Sequence, residues 1–235
     1  MQQSSFDFGG GALLREIYVR LLASFGPQRD ERRFDPLSQL VYGLIAWQTH
    51  DDVSMAAFLE LRRRCSSWNV LLDAMPRQIE RVIASVNHAD CKAADLPKTL
   101  RMARARAGGI LDLEFLADSD TEPAMQWLRA LHRVGSKIAA TVLNFSTLRK
   151  AVLPVDTHLR RVGERLGLVR RGADFEQAHE GYARALPTDW DADTVYELHW
   201  LIKRLGQQIC RPAKPACGHC PLRNLCPAAN RSAAA

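Results

Sequence analysis

The chain has 235 residues, enough to bury a sizeable core in one large domain or two smaller ones. Thirty-two Lys and Arg against 26 Asp and Glu leave a net charge of +6, which favours a polyanionic partner. The opening MQQSSFDFGGG has neither the basic start nor the apolar run of an export signal, and an apolar stretch such as LVYGLIAW is too short to span a bilayer, so a reducing, cytoplasmic setting is expected.

Apolar residues recur at helical spacing almost throughout, and the predicted fold class is all-α. Asp35-Pro36 is a start signal for a helix over Leu37–Trp47, in which Leu40, Val41, Leu44 and Ile45 repeat. Shorter patterns cover Met55–Leu61, Val70–Met75 and Ile79–Val86. Pro97–Ala107 and Pro123–Leu131 each place proline where a helix begins. Ser136–Phe145, Thr157–Leu166 and Ala192–Ile209 complete the set, the last with Asp191 as its N-cap. No alternating strand, long repeat or low-complexity linker stands out, and Met1–Gly11 and Asn230–Ala235 are expected to be disordered. Cys65 and Cys91 are isolated and read as ordinary buried thiols.

Candidate chemistry sits between Leu131 and Thr157. In LHRVGSKIAATVLNF one helix ends near Leu131, a short hairpin containing Gly135 follows, and a new helix starts at Ser136. Backbone N–H groups at such a turn and helix start lack helical partners and make a cradle for a phosphate. Lys137 falls in the first turn of the second helix, where the positive end of the helix dipole disfavours its ammonium form. A lysine with a pKa of about 10.4 is neutral less than about one time in a thousand at pH 7, so a lowered value would make it a usable amine nucleophile. A phosphate-binding or solvated lysine fits the same position. Further on, AVLPVDTHLRRV puts Asp156 just before a helix, an ordinary N-cap position. A helix from Ser136 to about Thr147 rises roughly 18 Å, and the following residues to Val155 span about 26 Å when extended. Both helix starts are therefore expected at one cleft, with Asp156 capping and also acting there.

The last quarter holds Cys210-x6-Cys217-x2-Cys220-x5-Cys226 in a proline-rich segment too polar to build its own core. A metal staple would order it. Spacing alone leaves an iron–sulfur centre, zinc and disulfides open, since the intervals fit neither a zinc ribbon nor the common ferredoxin patterns. No acidic residue follows Glu197, whereas Lys203, Arg204, Arg211, Lys214, Arg223 and Arg231 do. This positive segment, with Arg211 and Lys214 beside the cysteines, suits phosphates rather than base edges, and a solvated basic face is the plain alternative.

Three features in order — VGSKIA, VDTH and the four-cysteine loop — resemble the endonuclease III branch of the helix–hairpin–helix DNA glycosylases, from about Pro36 to Cys226. The resemblance implies a [4Fe–4S] cluster on the four cysteines. It also implies two α-helical lobes: a six-helix barrel over 36–148, and a cluster lobe formed by 1–35 with 149–235. It implies a bifunctional glycosylase/lyase acting on double-stranded DNA with damaged bases or abasic sites, in which Lys137 attacks C1′ and Asp156 stabilises positive charge on the sugar. Oxidised pyrimidines are the family's preferred substrates, and a monomer working on a bacterial nucleoid is expected. A weakly active or non-catalytic iron–sulfur relative that senses damage is the competing reading, and a zinc-stapled helical interaction module a third. Gln48 of IAWQTHDD matches a glutamine that enters the duplex opposite the extruded nucleotide, and Asp51 matches an acidic position of the family. Two departures stand out. The family hairpin usually reads Leu-Pro-Gly-Val-Gly, whereas this chain has Leu131-His132-Arg133-Val134-Gly135; the lost glycine is expected to restrict the bend, and Arg133 joins Val134 and Gly135 as the hairpin's DNA-facing residues. His88 stands where the family carries a bulky apolar wedge.

Overall fold

The computed structural model describes residues 10–28 and 33–232. These residues form α-helices, short 3-10 turns and no strand, with a single isolated parallel bridge between Phe34 and Ser146. The helices are α1 (Gly10–Phe25), α2 (Pro36–Ala46), α3 (Asp51–Arg64), α4 (Pro76–Val82), α5 (Ala89–Arg106) and α6 (Thr121–Arg129), then α7 (Ser136–Phe145), α8 (Thr157–Leu166), α9 (Phe175–Ala185), α10 (Ala192–Gln208) and α11 (Pro227–Ser232). The chain divides into two compact units, Arg32–Lys150 and Met1–Glu31 with Ala151–Ala235. Among the described residues no helix is long and apolar enough to cross a membrane.

The Arg32–Lys150 unit holds α2 to α7. Asp35 starts α2 as its sequence predicts: its carboxylate accepts from the Ser38 N–H at 2.8 Å, and Pro36 supplies a preset φ in the first turn. Leu40, Val41, Leu44 and Ile45 are buried against α7, whose Ala139, Ala140, Val142 and Leu143 are also buried. The two helices approach closely at Gly43, where a Cβ would lie 3.1 Å from the Ile138 side chain. Phe58 of α3 is fully buried, with ring centroids 4.9 Å from Phe34 and 5.4 Å from Tyr42. Each such side chain contributes about 1.5 to 3 kcal/mol on burial.

Several predicted boundaries are corrected here. Pro97 lies inside α5 rather than at its start, because Ala93, Leu96, Leu100 and Ala103 form a buried stripe on both sides of it. That burial outweighs the roughly 3 kcal/mol that an interior proline costs a helix. Pro123 is likewise the third residue of α6, not its first. The Val70–Met75 pattern belongs to a 3-10 turn at Trp68–Leu72, and Ile79–Val86 to the shorter α4. Cys65 is half-buried at the end of α3 and Cys91 is exposed on the solvent side of α5, so neither is the buried thiol expected.

The other unit packs α1 against α10 and α8 against both α9 and α10. Its core joins Leu14, Ile17 and Leu21 to Leu159, Val162, Leu198 and Ile202. Tyr182 of α9 is fully buried and donates its hydroxyl to the Leu159 carbonyl at 2.8 Å, beside Gly163, where a Cβ would lie 2.9 Å from the tyrosine ring. Three helices here have no counterpart in the predicted set, α1, α9 and the short α11. Gly10 and Gly11 open α1 where disorder was expected, and 230–232 close α11; 1–9 and 233–235 lie outside the described residues.

Candidate functional site

Within the Arg32–Lys150 unit, α6 and α7 are joined by the predicted hairpin. Leu131 and Val134 are buried, and the Val134 N–H closes the turn on the Leu131 carbonyl at 3.2 Å. Val134 therefore packs the hairpin into the core and does not offer its side chain outward. Arg133 takes a left-handed φ of 61°, which costs a side-chain-bearing residue about 1 to 2 kcal/mol. What offsets this lies on α5. Asp95 accepts from Arg133 Nε at 2.7 Å and faces His132 Nε2 at 2.9 Å, while Thr99 Oγ1 donates to the His132 carbonyl at 2.9 Å. Partial burial pushes the Asp95 carboxyl up, but hydrogen bonds from His132, Arg133 and Lys98 outweigh it and hold the pKa at about 2. The missing family glycine thus does not prevent the bend; an ion-paired arginine makes it. Asp95 lies 37 and 38 residues from these partners, so no local pattern marks it.

Lys137 is the second residue of α7 and is exposed. Gly135, the N-cap, is exposed too. Its φ of −92° suits any residue, and no atom lies within 4 Å of where a Cβ would stand. Neither backbone strain nor crowding within the chain calls for glycine there.

A second cluster forms on the same unit. Gln48 is exposed, just past α2, with a left-handed φ of 51°; it is not the buried helix-end glutamine that a purely structural role would need. His88 is exposed and left-handed before α5, at φ 55°. The two loops touch: Asn87 Nδ2 donates to the Gln48 carbonyl, and the Asn87 N–H donates to Thr49 Oγ1 at 3.2 Å. His88 stacks on Trp47 with centroids 5.1 Å apart and planes 7° from parallel. Asp51 is exposed in the first turn of α3, a favourable end for a carboxylate. The described non-glycine residues with positive φ are Gln48, His88, Arg133, Arg149 and Lys214. Four of these are positions picked out from sequence as facing DNA, and strained backbone of this kind concentrates at binding sites.

Asp156 lies in the other unit. It is 8% exposed and caps α8, its Oδ1 accepting from the His158 and Leu159 N–H groups at 2.8 and 2.9 Å. Its negative charge, after burial, helps push the Tyr182 hydroxyl pKa up. His158 is pulled below its usual value chiefly by burial, against the opposing pull of Asp156.

In that unit Cys210, Cys217, Cys220 and Cys226 line one cavity of about 170 Å³, closed by Arg165 and Ala229. Arg165 reaches the Cys210 Sγ at 3.1 Å and the Arg211 and Pro212 carbonyls at 2.8 and 2.9 Å, while Arg161 holds the Cys210 carbonyl at 3.0 Å. These two arginines of α8 order a segment with little core of its own, and sequence reasoning did not identify them. Arg211 and Lys214 are exposed on the loop, whereas Arg204 is taken up by packing, with its guanidinium 5.2 Å over the Phe25 ring.

No protein-family model matches the chain. It is 28% identical over 189 residues to Endonuclease III-like protein 1 of Gallus gallus, covering 80% of this chain and 62% of that protein. It is 26% identical over 215 residues to Endonuclease III of Thermotoga maritima, covering 91% and 90%. Among solved structures it superposes on a trapped endonuclease III–DNA covalent intermediate with a TM-score of 0.76 at 20% identity, covering 95% of this chain and 98% of that one. The chain is similar to proteins named Endonuclease III over most of its length. The fold is that of the solved endonuclease III and thymine-DNA glycosylase structures.

The four cysteines bear directly on the cluster that the resemblance implies. The four thiols share one cavity, and four soft sulfurs are a donor set for zinc and for an iron–sulfur cluster alike. Burial pushes the Cys220 thiol up against a backbone hydrogen bond at Leu222, and the neighbouring cysteines add to the rise. A donor set of four soft sulfurs around a cavity, with an arginine N–H on one of them, fits an iron–sulfur cluster.

Proposed function

We propose that this chain is a bifunctional DNA glycosylase/AP lyase of base excision repair. The observation that carries the reading is Lys137: an exposed amine on the first turn of α7, beside a braced hairpin with space left open at Gly135. The target base is extruded from the duplex at a cost of a few kcal/mol. The neutral Lys137 amine attacks C1′, the bond from C1′ to the base breaks, and the base leaves with a proton. Loss of the amine proton and opening of the sugar ring give a Schiff base. Removal of a C2′ proton then expels the 3′ phosphate, and water frees the lysine. Asp156 stabilises positive charge on the sugar and assists the proton transfers.

The unit Arg32–Lys150 is assigned as the six-helix barrel lobe and the other as the cluster lobe. Gly135 admits a phosphate, Gln48 and His88 probe the duplex, Asp51 supports the Gln48 loop, and Arg211 and Lys214 meet the backbone. Cys210, Cys217, Cys220 and Cys226 would hold a [4Fe–4S] cluster, whose contribution is to order the loop and orient DNA rather than to move electrons. The partner is damaged or abasic double-stranded DNA, the substrates are oxidised pyrimidines, and the protein acts as a monomer. Similarity to proteins named Endonuclease III over most of the chain supports this.

Borohydride trapping tests it. The wild type is expected to give a covalent complex with abasic-site DNA that disappears in Lys137→Ala. Salt-sensitive binding with no trapping by the wild type would refute the lyase reading and leave a damage-binding protein.

A further inference from the structure

Lys92 is 3% exposed, yet it has no acidic partner among the described residues. Its ammonium donates to the Trp47 carbonyl at 2.8 Å and to Thr49 Oγ1 at 3.0 Å, and sits 4.8 Å from the centre of the Trp47 ring. Burying a cation against neutral groups is costly, and the burial pulls its pKa down to about 8. An apolar side chain would fill this space without that cost, so packing alone does not account for a lysine. Everything the ammonium touches belongs to the Gln48 loop. Through Thr49 and Trp47 it also reaches the other loop, because Thr49 Oγ1 accepts from Asn87 N–H and the Trp47 ring carries His88. Gln48 and His88 both hold left-handed backbone, which is uncommon for residues with a side chain and which these contacts help to stabilise.

We propose that Lys92 is a positioning residue that locks the Trp47–Thr49 and Asn87–His88 loops into one rigid element, so that Gln48 and His88 enter duplex DNA together at an abasic or extruded nucleotide. The stacked Trp47 stiffens His88 and lets a histidine serve where a larger apolar side chain would otherwise be needed. This rests on the reading that the two loops probe DNA.

The test uses the full holoprotein and needs no lyase step. Affinity is measured for a duplex carrying a stable abasic-site analogue and for the same duplex intact, with 2-aminopurine opposite the site reporting unstacking. Lys92→Met is expected to lower the preference for the abasic duplex about tenfold and to remove most of the 2-aminopurine signal at saturation. Thr49→Val, at a half-buried position, removes an acceptor shared by both loops and is expected to act in the same direction; it decides by the same ratio if Lys92→Met does not fold. Gln48→Ala and His88→Ala are the reference. Should they lose the preference while Lys92→Met and Thr49→Val keep it, the brace is refuted and the probing loops stand. Should Gln48→Ala and His88→Ala keep the wild-type preference and signal, the loop reading fails and the proposal with it.

Discussion

Asp156 has two jobs in the reading above, and a pair of substitutions separates them. As an N-cap its Oδ1 accepts from two N–H groups at 2.8 and 2.9 Å while 92% of the residue is out of solvent. Asp156→Ala leaves two donors at the start of α8 without that acceptor, at a cost of about 1 to 2 kcal/mol. For a protein of this size the corresponding fall in Tm is about 2 to 8 °C. Asparagine caps as well as aspartate and keeps the same shape, so Asp156→Asn should stay within about 0.5 kcal/mol of wild type. It carries no charge and accepts no proton, so base release and strand cleavage should collapse in Asp156→Asn although the fold survives. Denaturant melts and a nicking assay on a duplex with one defined lesion provide the two readouts. A fully active Asp156→Asn would refute the catalytic role. A variant as unstable as Asp156→Ala would show that charge, not cap geometry, holds the start of α8.

Asp95→Asn should destabilise the protein by about 1 kcal/mol at pH 7, because a shift from 3.8 to about 2 is worth roughly 2.5 kcal/mol before the screening of exposed Arg133 and Lys98 is allowed for. The folded carboxyl ionises at lower pH than the unfolded one, so this contribution is complete above about pH 4 and vanishes as pH falls toward 2; melts of variant and wild type across that range measure it. Gly135→Ala should fold within about 0.5 kcal/mol of wild type and yet bind duplex DNA more weakly, as gel shift and thermal melts would show. Cys217→Ser should lower iron and sulfide content, solubility and DNA binding before it alters chemistry per folded molecule; a fully stable, cluster-loaded variant would contradict the assignment.

The helices that sequence anticipated well are those with local signals. The α2 and α10 stripes repeat at helical spacing, and Asp35, Asp156 and Asp191 each cap the helix that follows. Three helices were overlooked, the short α11 among them, and the two longer ones for different reasons. The glycines at the start of α1 conceal it, and α9 has few large apolar residues, although its Asp174–Gln177 capping box was a usable mark. Lys137 and the cysteines were legible because a helix start and a tight spacing are properties of adjacent residues. Arg161 and Arg165 were not, since their partners on the cysteine loop lie 45 to 49 residues away.

Sequence by itself determined the helical class, the caps, the place of Lys137 at a helix start and the grouping of four thiols, because each follows from neighbours within a few turns of chain. Only the tertiary structure decided that Gln48, His88 and Arg133 would hold left-handed backbone, that Pro97 would sit inside a helix, and that Lys92 and Asp95 would anchor the two exposed clusters. Those states are locally uphill. Pro97 is held by the buried stripe of its own helix, whereas the left-handed loops persist because partners 37 to 45 residues distant supply hydrogen bonds and charge that no short stretch of chain contains.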